Sequence, residues 1–265
     1  MEKRLVMSRK IIDRTGEINY NNFGSKMEII KYKNALDIDV YFEEYNWVFK
    51  NATYNSFIKK KIRCPYEARV FNIGFLGEGK YISYINKKPT KAYLYWFAMF
   101  ERCYDKETQS RRNTYKNCKV CEEWHNFQNF AKWFEENYYE VEGETMALDK
   151  DILVKNNKIY SPKTCAFVPE RINTLFTKSN KARGKYPIGV TWKEASKKFQ
   201  VGCSIIENKK KKTVYLGLYN TSNEAFQVYK NFKENYIKQV ADEYKQYIPR
   251  ELYKAMYEYE IEIDD

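Results

Sequence analysis

Apolar and polar positions recur with two different periods along this chain, and the places where the period changes mark its elements. Met27-Glu28-Ile29-Ile30-Lys31-Tyr32 and Ile38-Asp39-Val40-Tyr41-Phe42 are β-rich and partly alternating, which predicts two strands with Lys33-Asn34-Ala35 as the turn between them. Trp96, Met99, Phe100 and Cys103 then recur at helical spacing. A second helical face carries Phe127, Phe130, Ala131 and Phe134 over about Asn126 to Tyr138. Leu148 to Ile152, followed by Tyr160 to Cys165, predicts a hairpin that turns into Ile172-Asn173. Near the C-terminus, Ile188 to Trp192, Lys197 to Ser204 and Thr213 to Tyr219 predict three short strands. Thr221 and Glu224 form a capping-box pattern, and Ala225, Val228, Tyr229, Phe232, Tyr236 and Val240 give the helix after it one apolar face.

These elements predict an α+β protein in four parts. Residues 1–82 form a small β-rich domain, 83–182 a mixed domain, 183–240 a three-stranded antiparallel sheet packed on one helix, and 241–265 an acidic tail. Gly16 to Lys26 reads as a polar loop and 177–185 as a basic linker. Gly74 to Tyr81 is rich in glycine, but no helix or Lys-Ser/Thr pair follows its glycines, so it is not a phosphate-binding loop.

Charge narrows the partner. The 265 residues carry a formal +12, and 17% of them are aromatic. Cations among many rings favour nucleic acid over a membrane surface. No apolar run approaches the roughly 20 residues of a membrane span, and Met1 to Lys10 lacks the apolar stretch of a signal peptide. A cytoplasmic location is therefore expected, with the six cysteines as thiols or metal ligands rather than disulfides. Residues 183–240 hold a net charge of +8, the densest surplus in the chain, whereas 241–265 hold −5. That tail is expected to be solvated, or to meet a basic partner protein.

The run Gly189-Val190-x-Trp192, Lys198-Phe199, Tyr215-Leu216-Gly217-x-Tyr219 and Thr221-x-x-Glu224-Ala225 resembles the Apetala/ethylene-response-factor DNA-binding domain, which also occurs in phage and mobile-element proteins. The resemblance implies that the sheet face reads duplex DNA. It points to Thr191, Lys193, Lys198, Gln200 and Tyr215 as readers, with Trp192 and Lys197 beside them. The family's sheet often presents arginines, and this segment presents lysines instead.

Asn21 to Lys26 and Gly77 to Lys80 resemble the start of phage proteins usually labelled HNH-endonuclease-like, and the middle of the chain resembles a degenerate HNH domain. A second DNA patch is expected from Asn22, Ser25 and Lys26 with Lys59, Lys60, Lys61 and Arg63. An HNH site needs a histidine base after the strand's Asp, but Lys150 follows Asp149. The one histidine, His125, lies outside the hairpin, and Asn173 stands near the place of the later Asn. Asp149 and Asp151 with His125 could hold Mg²⁺, but no local pattern fixes that geometry. Cys118-x-x-Cys121 could bind zinc with Cys103, His125 or Cys165, yet no second close ligand pair exists, so ordinary thiols are expected. No catalytic residue, metal or cofactor is therefore assigned. The reading is a double-stranded DNA-binding protein of phage or mobile-element type, derived from a nuclease. Its rivals are an HNH-type nicking endonuclease and a phage counter-defence protein that binds a host nucleic-acid-processing complex.

Overall fold

The computed structural model describes residues 12–177, 185–207 and 210–263. The Met1 to Lys10 start and the basic linker, apart from Thr177 and Lys185, lie outside them. The chain is α+β and divides into two compact units, Met1–Arg111 with Glu122–Lys132 and Arg112–Cys121 with Trp133–Asp265.

In the first unit, β1 (Ile18–Tyr20), β2 (Lys26–Asn34), β3 (Asp37–Phe42) and β4 (Trp47–Ala52) form an antiparallel meander in that order. The two strands read from the alternation are β2 and β3. Their turn falls on Ala35-Leu36, one step later than the composition suggested, because Asn34 still pairs with Asp37. Alternation is strict where it matters: Met27 and Ile29 on β2 and Ile38, Val40 and Phe42 on β3 are fully buried together. Phe57 from α1 (Tyr54–Ile58) closes this core, and the Thr53 hydroxyl caps that helix by accepting from the Ser56 amide. Part of the expected polar loop is strand β1, since pairing with Lys26, Met27 and Glu28 satisfies its backbone.

Beyond the meander, β5 (Tyr84–Ile85) and β6 (Lys88–Pro89) form a two-residue hairpin, and α2 (Lys91–Tyr104) buries Trp96, Met99, Phe100 and Cys103. That is the face its spacing predicted. The Trp96 indole N–H donates to the Trp124 carbonyl at 2.7 Å. After α3 (Lys106–Arg111) the chain passes through β7 (Lys119–Val120), which belongs to the second unit, and returns to the first in α4 (Phe127–Asn137), whose Phe127, Phe130 and Ala131 are buried.

The second unit contains a strand pairing that the sequence does not announce. β8 (Met146–Asp149) pairs with β10 (Ala166–Pro169), while β9 (Ile159–Tyr160) runs parallel to β7. The expected hairpin thus has its second strand beyond Cys165, and Ile159-Tyr160 goes elsewhere. α5 (Glu170–Leu175) follows β10 directly and contains Ile172 and Asn173. Then come β11 (Val190–Lys193), β12 (Lys198–Glu207) and β13 (Lys210–Tyr219), with α6 (Ser222–Tyr244) and α7 (Arg250–Tyr257). Val168 and Ile172 share one core with Val201, Cys203, Ile237 and Leu252, so residues of the expected 83–182 and 183–240 segments are buried together.

The acidic segment is folded rather than a free tail. α6 runs on past Val240, and Ala241, Tyr244, Leu252, Met256 and Ile261 are all buried. Glu262 pairs with Lys155 at 3.0 Å, and the Ile261 amide donates to Glu234 at 2.8 Å. Apolar residues at helical spacing outweigh the net negative charge here, because the carboxylates can stay at the rim while the apolar face is removed from water.

Candidate nucleic-acid interface

Specific hydrogen bonds fix the start of α6 and tie it to the C-terminal sheet. The capping box is complete: the Thr221 hydroxyl accepts from the Glu224 amide and the Glu224 carboxylate accepts from the Thr221 amide. At the other end, the Tyr236 hydroxyl donates to the Ile206 carbonyl at 3.0 Å and accepts from the Ile206 amide at 2.9 Å, closing the backbone of β12. Ala225, Tyr229, Tyr236 and Val240 are buried as expected, joined by Phe226 and Ile237, while Val228 and Phe232 pack at the margin.

Cross-strand pairs point to the same side of a sheet, so the register sorts the residues. Val190, Val201 and Gly217 are paired on the helix side, as are Trp192, Phe199 and Tyr219. The open side carries Thr191, Gln200 and Leu218 in one row and Lys193 with Lys198 in the next. Tyr215 lies opposite Gly202, and Ser204 opposite Thr213. A bulge at Leu216-Gly217, with Gly217 at φ +122°, turns Leu216 inward and leaves both Tyr215 and Leu218 exposed. All five residues expected to read DNA by resemblance therefore share one face. Tyr215 is 58% exposed. No described residue on that face is a carboxylate, and no ion pair among the described residues engages Lys193, Lys198 or Lys211. The outer strands lie about 10 Å apart, comparable with a major groove about 12 Å wide.

Two candidates fall elsewhere. Trp192 lies on the helix side, edge-on to Phe199 at 4.9 Å, with its indole N–H donating to Glu194 at 2.7 Å. Lys197 occupies the β11–β12 turn at φ +54° and is paired with Glu194.

In the first unit, the two N-terminal candidate segments meet. The Asn22 amide donates to the Lys60 carbonyl at 3.1 Å, and the buried Asn21 side chain donates to the Ile62 carbonyl at 3.2 Å. Asn22, Lys59, Lys60, Lys61 and Arg63 are exposed there. Ser25 is buried, because its amide closes the loop onto the Asn21 side chain, and so it presents nothing to a ligand. Lys26 is tied to Glu43 at 2.9 Å.

The residues weighed for nuclease chemistry are engaged in a turn. One Asp149 carboxylate oxygen accepts from the Asp151 and Ile152 amides at 2.8 and 2.7 Å. Burial, then the neighbouring Asp151 charge, pushes its carboxyl up to about 6. The Lys150 ammonium is buried and donates to Asp151 at 3.0 Å. Burial opposes its charge, but the Asp151 carboxylate outweighs that and holds it above the usual lysine range. A base that keeps its proton this firmly cannot activate water. Burial likewise raises the thiols of Cys118 and Cys165, and Cys103 packs in the α2 face. His125 belongs to the first unit and lies beside the Phe100 ring, whereas Asp149, Asp151 and Asn173 belong to the second. Among the described residues no three His, Cys, Asp or Glu side chains form a group able to hold a metal ion.

Compared with protein-family models, curated proteins and solved structures, the chain matches none.

Sequence reading passed over Ser204, Thr213, Lys211 and Leu218, which the register adds to the open face. The signal was present for the first two: period-two alternation from Lys198 continues through Ser204, and Thr213 lies two residues before Tyr215. Leu218 required the bulge, which inverts the parity of β13. No helix among the described residues is long and apolar enough to cross a membrane.

Proposed function

We propose that this chain binds double-stranded DNA through the open face of β11–β13. The observation that carries the reading is the gathering of Thr191, Lys193, Lys198, Gln200 and Tyr215 on one carboxylate-free, helix-backed sheet face. Lysines on such a face release counterions from phosphates, while Thr, Gln and Tyr supply hydrogen bonds to base edges or the backbone. The resemblance to the Apetala-type domain supports the same use of the sheet. The exposed cations around Asn22 and Lys60 serve as a second contact with the duplex. In this reading the nuclease-like middle of the chain is a scaffold of phage or mobile-element origin, since Asp149 and Lys150 act as turn residues.

The test is a fluorescence-anisotropy titration of labelled duplex at fixed salt with Lys193→Glu/Lys198→Glu protein. Binding at least tenfold weaker, with unchanged thermal stability, is expected, because exposed lysines contribute little to folding. Equal affinity of the two proteins would refute the assignment.

A further inference from the structure

Phe23 is both exposed and held in a tightly bonded loop. Its side chain is 50% exposed, leaving about 100 Å² of aromatic surface in water. The loop beneath it is tightly held. The Asn21 side-chain oxygen accepts from the Phe23 amide at 2.9 Å and the Ser25 amide at 3.0 Å. The Gly24 amide returns to the Asn21 carbonyl at 3.0 Å, with Gly24 at φ +90°. Asn21 is itself buried and donates to the Ile62 carbonyl and the Glu67 carboxylate. Nothing in this network requires an aromatic ring at the apex.

The ring is flanked by cations. The Arg69 and Arg63 guanidinium carbons lie 4.8 and 5.1 Å from its centroid. Arg69 is anchored to Glu67 at 2.7 Å, while Arg63 and Lys59 to Lys61 are exposed and join no ion pair among the described residues. An exposed aromatic ring with two guanidinium groups over it brings a stacking surface and phosphate-binding groups to one place, which suits a duplex whose base steps can be parted. An acidic protein surface would satisfy the cations and leave the ring unmatched.

We propose that Phe23 is a wedge that enters the base stack of duplex DNA, with Arg63 and Lys60 holding the phosphates beside the opened step. The proposal rests on the reading that this chain binds duplex DNA, and it adds that the bound DNA is locally unstacked. Holding the wedge in place before binding removes the entropy that a free loop would lose.

The experiment uses the full chain and a short duplex carrying 2-aminopurine at its pyrimidine–purine steps, which part most easily. Anisotropy reports binding, and 2-aminopurine emission reports unstacking. The wild-type protein is expected to raise the emission at saturation. Phe23→Ala should lose that rise and bind three- to tenfold more weakly while still melting cooperatively, only modestly lower because the ring's contacts with Arg63 and Arg69 are lost. Phe23→Leu, which keeps an apolar wedge, should retain most of both signals. Duplex binding without any rise in emission, or a rise that survives Phe23→Ala, overturns the wedge and leaves DNA binding standing. Preference for the single strand, lost in Phe23→Ala, overturns it in favour of a stacking platform. Absence of duplex binding at low salt overturns both the wedge and the DNA-binding reading.

Discussion

Gly189 lies directly on the ring of Tyr229. At φ +75° its backbone enters β11 so close to α6 that a β-carbon would overlap the ring atoms of that tyrosine. The same residue accepts a hydrogen bond from the Gly202 amide at 3.0 Å, so sheet, helix and turn meet at one position that only glycine fills.

Gly189→Ala is therefore expected to cost about 2–4 kcal/mol, combining backbone strain with overpacking of the ring. Urea unfolding of the full chain checks this. A loss below about 0.5 kcal/mol would mean that Tyr229 moves aside freely.

The exposed lysines of the first unit give a prediction in salt dependence rather than in stability. Replacing Lys59, Lys60 and Lys61 with Gln should reduce the slope of log affinity against log salt by up to about 2.7, near 0.9 for each phosphate no longer neutralised. Anisotropy titrations across a salt series measure it. An unchanged slope would remove these lysines from the interface.

Lys233 lies on the buried side of α6, 8% exposed, near Cys203 and 5.9 Å from the Tyr236 ring centroid. Burial lowers its pKa, and no carboxylate compensates. Between the folded value and the ordinary 10.5 the unfolded chain binds more protons, so stability rises with pH over that window. Lys233→Met should raise stability at neutral pH by roughly 1–2 kcal/mol and abolish the alkaline gain. Thermal melts from pH 7 to 10 test both parts.

Asp149 behaves in the opposite sense. Its folded value of about 6 exceeds the ordinary 3.8, so the folded state holds the extra proton between them. Its contribution is fully present below pH 3.8 and is lost as pH rises through about 6. The loss is at most about 3 kcal/mol, and smaller because the side chain keeps some contact with water. Asp149→Asn keeps an oxygen for the Asp151 and Ile152 amides, so it should flatten this slope and be no less stable than wild type at pH 7. A large loss of stability at pH 7 would show that attraction to the Lys150 charge outweighs the burial of the carboxylate.

Elements set by local chemistry were legible in the sequence. The α2 face of Trp96, Met99, Phe100 and Cys103, the Thr221-Glu224 capping box and the alternation in β2, β3 and β12 depend on neighbours within a few residues. Their period therefore reports their burial directly. Thr191, Lys193, Lys198, Gln200 and Tyr215 are singled out by resemblance, and it is the pairing register of the three strands that puts them on one face. What depends on contacts distant along the chain was hidden. The parallel pairing of β7 with β9, the partner of β8, the burial of Ser25, the meeting of Asn22 with Lys60 and the docking of Ile261 all join segments whose own patterns are weak. Each is settled by which distant backbone and apolar groups can be satisfied at once. The net −5 of residues 241–265 suggested a free tail, and only packing showed that its apolar positions lie in the core. Local hydrogen bonding and periodicity are written in adjacent residues; long-range pairing is decided by the core they jointly enclose.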